Sequence, residues 1–315
     1  MNYEEQKKNP TSFQALTSLS MVEFEYLLSH FSVQWDKFYK VHTLEGKKRK
    51  LPVFREHGGS SLYGTEQKLF FLLVYLKNNS LQTFQGATFG LSQGKVSVIY
   101  RVLLSVLDTT LKKMGYLPCR DGMRLCTILD EHKTKVFWYD GTERNIQRNT
   151  DQGVQEDEYS GKNHGHHIKN LTLCDQTQYI FYLSPSEDGS MHDKAMADKH
   201  PIQLPHGSVL KQDMGFIGHE PAGVVIEQPF KKPKNGELTF SQKIYNKIFS
   251  STRITIEHAN SGLKRLRMVQ GTIRVHSYMI RDMIMAVACA LHNLRVAGIE
   301  KNRGYQNSPC VRAYV

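Results

Sequence analysis

The sequence predicts an all-α region followed by an α/β domain, and three observations carry that prediction. Apolar residues recur at helical spacing through the first third of the chain. From about residue 133 the pattern changes to short apolar runs, each closed by an acid or a small turn. Helical pieces then follow the runs, which is the order of a mixed sheet flanked by helices. With 315 residues and 40% hydrophobic content, the chain can bury a sizeable core divided among two or more domains.

Residues 1–46 are expected to form an N-terminal helical element centred on TSLSMVEFEYLLSHFSVQWDKFYKVH. Ser20 stands as N-cap with Glu23 three residues on, and Phe24, Leu27, Leu28 and Phe31 form the apolar stripe. Residues 47–64 read as a basic linker, whose Lys47–Lys50 run suits either solvent or phosphate. Residues 65–118 read as a compact helical unit. Thr65 caps TEQKLFFLLVYLKN, LQTFQGAT makes a short second helix, and Gly90 breaks the chain before Ser92 caps SQGKVSVIYRVLLSVL. These are the parts of a helix-turn-helix, with Gln93, Ser97, Tyr100 and Arg101 sharing a face suited to a DNA groove. An ordinary three-helix bundle with one wet face explains the same pattern.

Residues 133–297 are the α/β domain, and 298–315 a tail. KTKVFWYDG is the first strand; HIKNLTLCD and QTQYIFYLSP follow as a hairpin turning at Asp175–Thr177. A short helical piece, MHDKAMADKH, precedes two more apolar runs, GSVLKQDMGF and AGVVIEQPF. A long helix is expected from Ser241 to about Met268.

Forty-one Lys and Arg against thirty Asp and Glu leave a formal charge of +11, which favours a polyanionic partner. The five cysteines, Cys119, Cys126, Cys174, Cys289 and Cys310, make no CxxC pair and read as reduced thiols. No apolar leader opens the chain, and SYMIRDMIMAVACALHNL is interrupted by Arg281 and Asp282, so neither export nor membrane insertion is expected.

Two acids are expected where strands end: Asp140 before Gly141 and Asp213 before the turn at Gly215. Carboxylates placed close together repel, and a divalent cation relieves the repulsion. A third acid, Glu257, stands in the basic stretch RITIEHANSGLKRLR. On a helix, Arg253 and Lys264 fall within about 40° of Glu257, opposite Ile248, Ala259, Leu263 and Leu266. Such a face suits a metal ligand beside phosphate clamps. A solvated Arg253–Glu257 ion pair accounts for it equally, and RITIE also has the alternation of a strand. In the HGHH cluster, His164, His166 and His167 lack a Cys or acid partner at zinc-ligand spacing. With Lys162 and Lys169 they are expected to form a phosphate-facing basic edge.

YDGTERNIQR, SGKNHGHHIKN, QDMGF and RITIEHANSGLKRLR followed by RDMIMAVACALHNLR resemble, in that order, the DDE transposases of the IS5 class, related to Harbinger-type DDE endonucleases. The resemblance covers nearly the whole chain. It implies an RNase H-like catalytic core in which Asp140, Asp213 and Glu257 are catalytic and hold Mg²⁺, with Mn²⁺ as a substitute. Arg253 and Lys264 match basic positions of related families, whereas the Tyr often placed before that Arg is Ser250 here. DNA contacts are expected from Arg253, Lys264, Arg265, Lys162, Lys169, Gln93, Ser97 and Arg101. The implied function is Mg-dependent strand cleavage and transfer at transposon ends, by a homodimer on double-stranded DNA in a prokaryotic, nucleoid-associated setting. A domesticated DNA-binding descendant without transposition activity is the alternative.

Overall fold

The computed structural model of the chain describes residues 1–302 except 55, 57, 133, 134 and 162, and of residues 299–302 the backbone alone. The helical part is built around α4 (Thr65–Asn78), whose run from Gln67 to Leu76 is buried all round, as its nearly unbroken apolar sequence requires. Three N-terminal helices pack nearby: α1 (Tyr3–Gln6), α2 (Pro10–Thr17) and α3 (Met21–Val41). Ser20 caps α3 in a full capping box with Glu23, and Phe24, Leu27 and Phe31 are fully buried. Lys68, 2% exposed, is held by Glu56 at 2.7 Å.

Two further helices, α5 (Gln82–Phe89) and α6 (Gln93–Lys113), match the expected segments, with Gly90 left-handed at the end of α5 and Ser92 capping α6. Two details differ from expectation. The N-cap of α4 is Gly64, at φ +87°, so Thr65 is the first helical residue and caps nothing. Tyr100 points inward, fully buried, with its ring 5.1 Å from that of Tyr75. Gln93 and Arg101 remain exposed and Ser97 is partly so.

After a short α7 (Leu125–Leu129) the chain enters the sheet. Its strands are β1 (Val136–Asn145), β2 (Tyr159–Ser160), β3 (Gly165–Cys174), β4 (Ile180–Leu183), β5 (Glu187–Asp188), β6 (Val209–Gln212) and β7 (Val225–Glu227). A short α8 (Gln152–Glu158) links β1 to β2, and α9 (Asp193–Lys199) precedes β6. β3 pairs antiparallel with β1, β4 and β5, whereas β6 lies parallel to β1 and β7 parallel to β6. This mixed order is consistent with the RNase H-like layout that the resemblance implies. The hairpin forms at the expected turn, where Asp175 accepts from the Thr177 amide at 2.9 Å and its hydroxyl at 2.6 Å.

The expected long helix is three: α10 (Phe240–Thr252), α11 (Ile254–Leu263) and α12 (Arg267–Gln270). The chain interrupts at Arg253, so the phase of α10 does not carry into α11. Ile248 is therefore 61% exposed, while Ala259, Leu263 and Leu266 are buried. RITIE is helical, not a strand. Finally α13 (Tyr278–Asn302) packs against α6, α11 and β4. One continuous hydrophobic core joins helices and sheet, running from Phe70 and Leu104 to Leu171 and Leu291.

Candidate active site

The parallel pairing of β1 and β6 sets Tyr139 opposite Gln212, so the next residue on each strand, Asp140 and Asp213, emerges beside the other. β1 does not end at Asp140. It continues through Gly141 to Asn145, because β3 goes on pairing with it through Asn145 and His167. The point at issue is therefore the end of β6. There Asp213 turns the chain by accepting a hydrogen bond from the Gly215 amide at 2.7 Å.

A third carboxylate joins these two. Asp193, the first residue of α9, lies against the bare backbone of two glycines. A Cβ at Gly141 would stand 2.8 Å from Asp193 Oδ1, and one at Gly215 would stand 3.0 Å from Asp193 Oδ2. Both glycines are thus required by the close approach of Asp193 to the strand ends. Burial pushes the Asp140 carboxyl up to about 7; the Arg253 guanidinium opposes this shift, and the charges of Asp213 and Asp193 reinforce it.

The counter-charge comes from Arg253, where α10 gives way to α11. Arg253 Nη2 lies 3.8 Å from Asp140 Oδ1 and 3.8 Å from Asp213 Oδ2, bridging the two acids. Asn260, two turns along, donates from Nδ2 to Asp140 Oδ2 at 3.2 Å, while its Oδ1 accepts from the Thr172 hydroxyl at 3.2 Å. Glu257 lies between Arg253 and Asn260 on the helix surface, four residues after one and three before the other. It is exposed, and its carboxylate makes no hydrogen bond or ion pair among the described residues. Arg253 thus bonds acids remote in sequence instead of pairing with Glu257 one turn away.

Among the described residues, no three His, Cys, Asp or Glu side chains converge closely enough to cage a metal ion. The donor chemistry nevertheless fits a hard divalent cation. Asp140 and Asp213 share one guanidinium at 3.8 Å, longer than a direct charge-assisted bond, and Asp193 beside them has Lys169 Nζ at 4.0 Å.

The remaining expected residues fall elsewhere. Lys169 is not on an open basic edge. It is buried, paired with Glu143 at 3.2 Å across the β1–β3 register, and donates to the Met191 carbonyl at 3.1 Å. His164 lies in the turn before β3 with φ +50°, so it does not share a strand face with His166, and His167 is buried. Lys162 lies outside the described residues. Lys264 ends α11 half-buried, and Arg265 follows it exposed. Sequence reasoning missed Asp193 and Asn260. The glycines at 141 and 215 were the available signal for the first, and nothing local announces the second.

Comparison with known proteins gives a family for the segment that carries these residues. Residues 139–293 match the DDE superfamily endonuclease family, a span that takes in Asp140, Asp193, Asp213 and the whole of α11. The chain is also similar to the probable transposase for insertion sequence element IS702 of Microchaete diplosiphon, at 29% identity over 117 residues. That match covers 37% of this chain and 42% of the relative, so it spans less than half of that protein. No solved structure matches.

Proposed function

Residues 139–293 belong to the DDE superfamily of endonucleases, and from that premise we propose that the chain is a transposase cutting and joining duplex DNA at the crevice between β1, β6 and α11. Asp140, Asp213 and Glu257 are its catalytic acids and would hold divalent cations, Mg²⁺ or in its place Mn²⁺. When bound, such ions supply charge neutralisation at phosphorus and a strong oxygen nucleophile at neutral pH.

The chain's own residues do the rest. Asn260 fixes the orientation of the Asp140 carboxylate through its link to Thr172. Arg253 offsets the charge of both acids and, with Lys264 and Arg265 at the far end of α11, presents cations to a phosphate backbone. No side-chain nucleophile is needed for hydrolysis or for attack by a freed 3′-hydroxyl. α5 and α6 act as the helix-turn-helix, offering Gln93, Ser97 and Arg101 to the transposon ends, and the sheet is an RNase H-like core. Pairing of two DNA ends makes a homodimer the working unit, on the chromosome of a prokaryotic cell.

The observation that carries this proposal is the β1–β6 register, which brings Asp140 and Asp213 together beside Arg253, at the head of α11 and 3.8 Å from each, and Asn260 of α11, which donates to Asp140. Nicking of a plasmid bearing the element's ends tests it. Asp140→Asn, Asp213→Asn and Glu257→Gln should each lose several kcal/mol of transition-state stabilisation, a fall of at least about a hundredfold, with DNA binding retained. Nicking at the wild-type rate in any of the three overturns the assignment.

A further inference from the structure

Away from the acids, basic side chains from three separated segments meet along one surface. Lys77, in the last turn of α4, donates to the Arg265 carbonyl at 2.8 Å. Arg274 donates to the carbonyl oxygen of Asn79 and, at 3.2 Å, to its Oδ1. Asn79 in turn donates to the Thr272 carbonyl at 3.2 Å, so the end of α4 is pinned to the 265–274 segment. Arg274 and Arg101 both act electrostatically on the Tyr75 phenol, which brings the α6 face into the same field. The phenol also bonds Gln82, whose Oε1 accepts from Gln93 at 2.6 Å.

Several cations elsewhere have carboxylate partners, among them Lys68 with Glu56, Arg120 with Asp282, Lys199 with Glu187 and Lys211 with Glu227. Among the described residues, none of Lys77, Arg101, Arg265, Arg267 and Arg274 pairs with a carboxylate. Burial holds the Lys77 ammonium below its ordinary range, and Arg267 and Arg265 push it the same way. Gathering like charges without counter-ions works against folding, so their convergence calls for an anion from outside. Arg101, Arg265, Arg267 and Arg274 are all exposed, as a phosphate contact needs.

We propose that Lys77, Arg265, Arg267, Arg274 and Arg101 form one continuous phosphate-tracking seam that leads duplex DNA from the Gln93 face of α6 to the crevice below α11. The seam rests on the transposase proposal for its destination and adds the path between the two sites. Such contacts set register and salt dependence, not base preference.

The test uses the full chain and a duplex of arbitrary sequence, with binding followed by fluorescence anisotropy over a range of salt. Arg265→Gln with Arg267→Gln alters exposed side chains only. The salt slope should fall by about 0.9 for each contact removed. Adding Arg274→Gln should lower it by about one more. The matched control is Lys8→Gln with Lys37→Gln, exposed changes between α1 and α2 and on α3, which should leave the slope near wild type. An unchanged slope in the seam variants, an equal fall in the control, or tighter binding of an RNA duplex than of DNA would each overturn the seam. Asp140→Asn, measured alongside, should keep the wild-type slope while losing nicking. If the wild type neither nicks nor binds duplex DNA, the transposase proposal fails. If it nicks normally while the seam variants keep their slope, the seam alone fails.

Discussion

Gly262, near the end of α11, is where packing and chemistry meet. A Cβ there would stand 2.2 Å from Nδ1 and 2.4 Å from Cε1 of the His292 ring on α13. Carbon contacts are comfortable only from about 3.5 Å, so one partner has to move by more than about 1 Å. The ring has little freedom: it is 4% exposed, and its Nε2 lies 2.8 Å from the Gln178 carbonyl. Arg295 also fastens α13 to the Gly262 carbonyl at 2.9 Å. Overpacking of this kind costs about 1–3 kcal/mol, and displacing the ring from its hydrogen bond adds about 1 kcal/mol. Alanine regains about 1 kcal/mol over glycine inside a helix. Gly262→Ala should therefore destabilise the fold by about 2 kcal/mol in urea unfolding followed by circular dichroism. Removing the obstacle isolates the cause: in a His292→Ala background only the helix preference of alanine is left, so the same substitution should stabilise by about 1 kcal/mol, a coupling of about 3 kcal/mol. A Gly262→Ala protein as stable as wild type, or penalties that simply add, would refute the packing argument.

Two further outcomes follow from the same region. Asn260→Ala removes the amide that joins Thr172 to Asp140, and should lower nicking by about 10–100-fold while costing about 1–2 kcal/mol in unfolding; wild-type nicking would show that Asp140 needs no such support. His292 has its pKa lowered to about 4, first by burial and then by the Arg295 charge, against 6.5 for the free side chain. The unfolded chain then binds the proton first as pH falls, so this group's share of stability is whole above about 6.5 and is lost on the way down to about 4. Between about pH 7 and pH 5 the loss is about 2 kcal/mol, and it should vanish in His292→Gln; equal acid sensitivity in both proteins would refute it.

Much of the fold is legible because its signals are local. The Ser20–Glu23 capping box, the Ser92 cap and the Asp175 turn each lie within a few residues of chain, and each forms as the sequence predicts. The misjudged elements depend on partners far away. β1 outlasts Asp140 because β3 keeps pairing with it, and Lys169 reads as an exposed cation until register sets Glu143 opposite. Thr65 resembles a cap, but Gly64 takes the position with a left-handed backbone that Thr would resist.

The candidate site shows the same division more sharply. Local electrostatics assigns Arg253 to Glu257, a helical neighbour whose attraction is worth only a few tenths of a kcal/mol in solvent. The fold instead places Arg253 where two carboxylates emerge from parallel strands, out of bulk water, and there each attraction is stronger. The stronger pull wins, and Glu257 is left without a local partner. Asp193 adds to the negative charge through a route that only two glycines betray, since any side chain at 141 or 215 would keep α9 away. The chain thus gathers Asp140, Asp213 and Asp193, with Arg253 3.8 Å from the first two and Lys169 4.0 Å from the third, and leaves Glu257 on α11 without an ion-pair partner among the described residues. Mutual repulsion among carboxylates gathered in this way costs stability, and a cation bound between them would relieve it. Their presence together is therefore better explained by a ligand of opposite charge than by the needs of the fold.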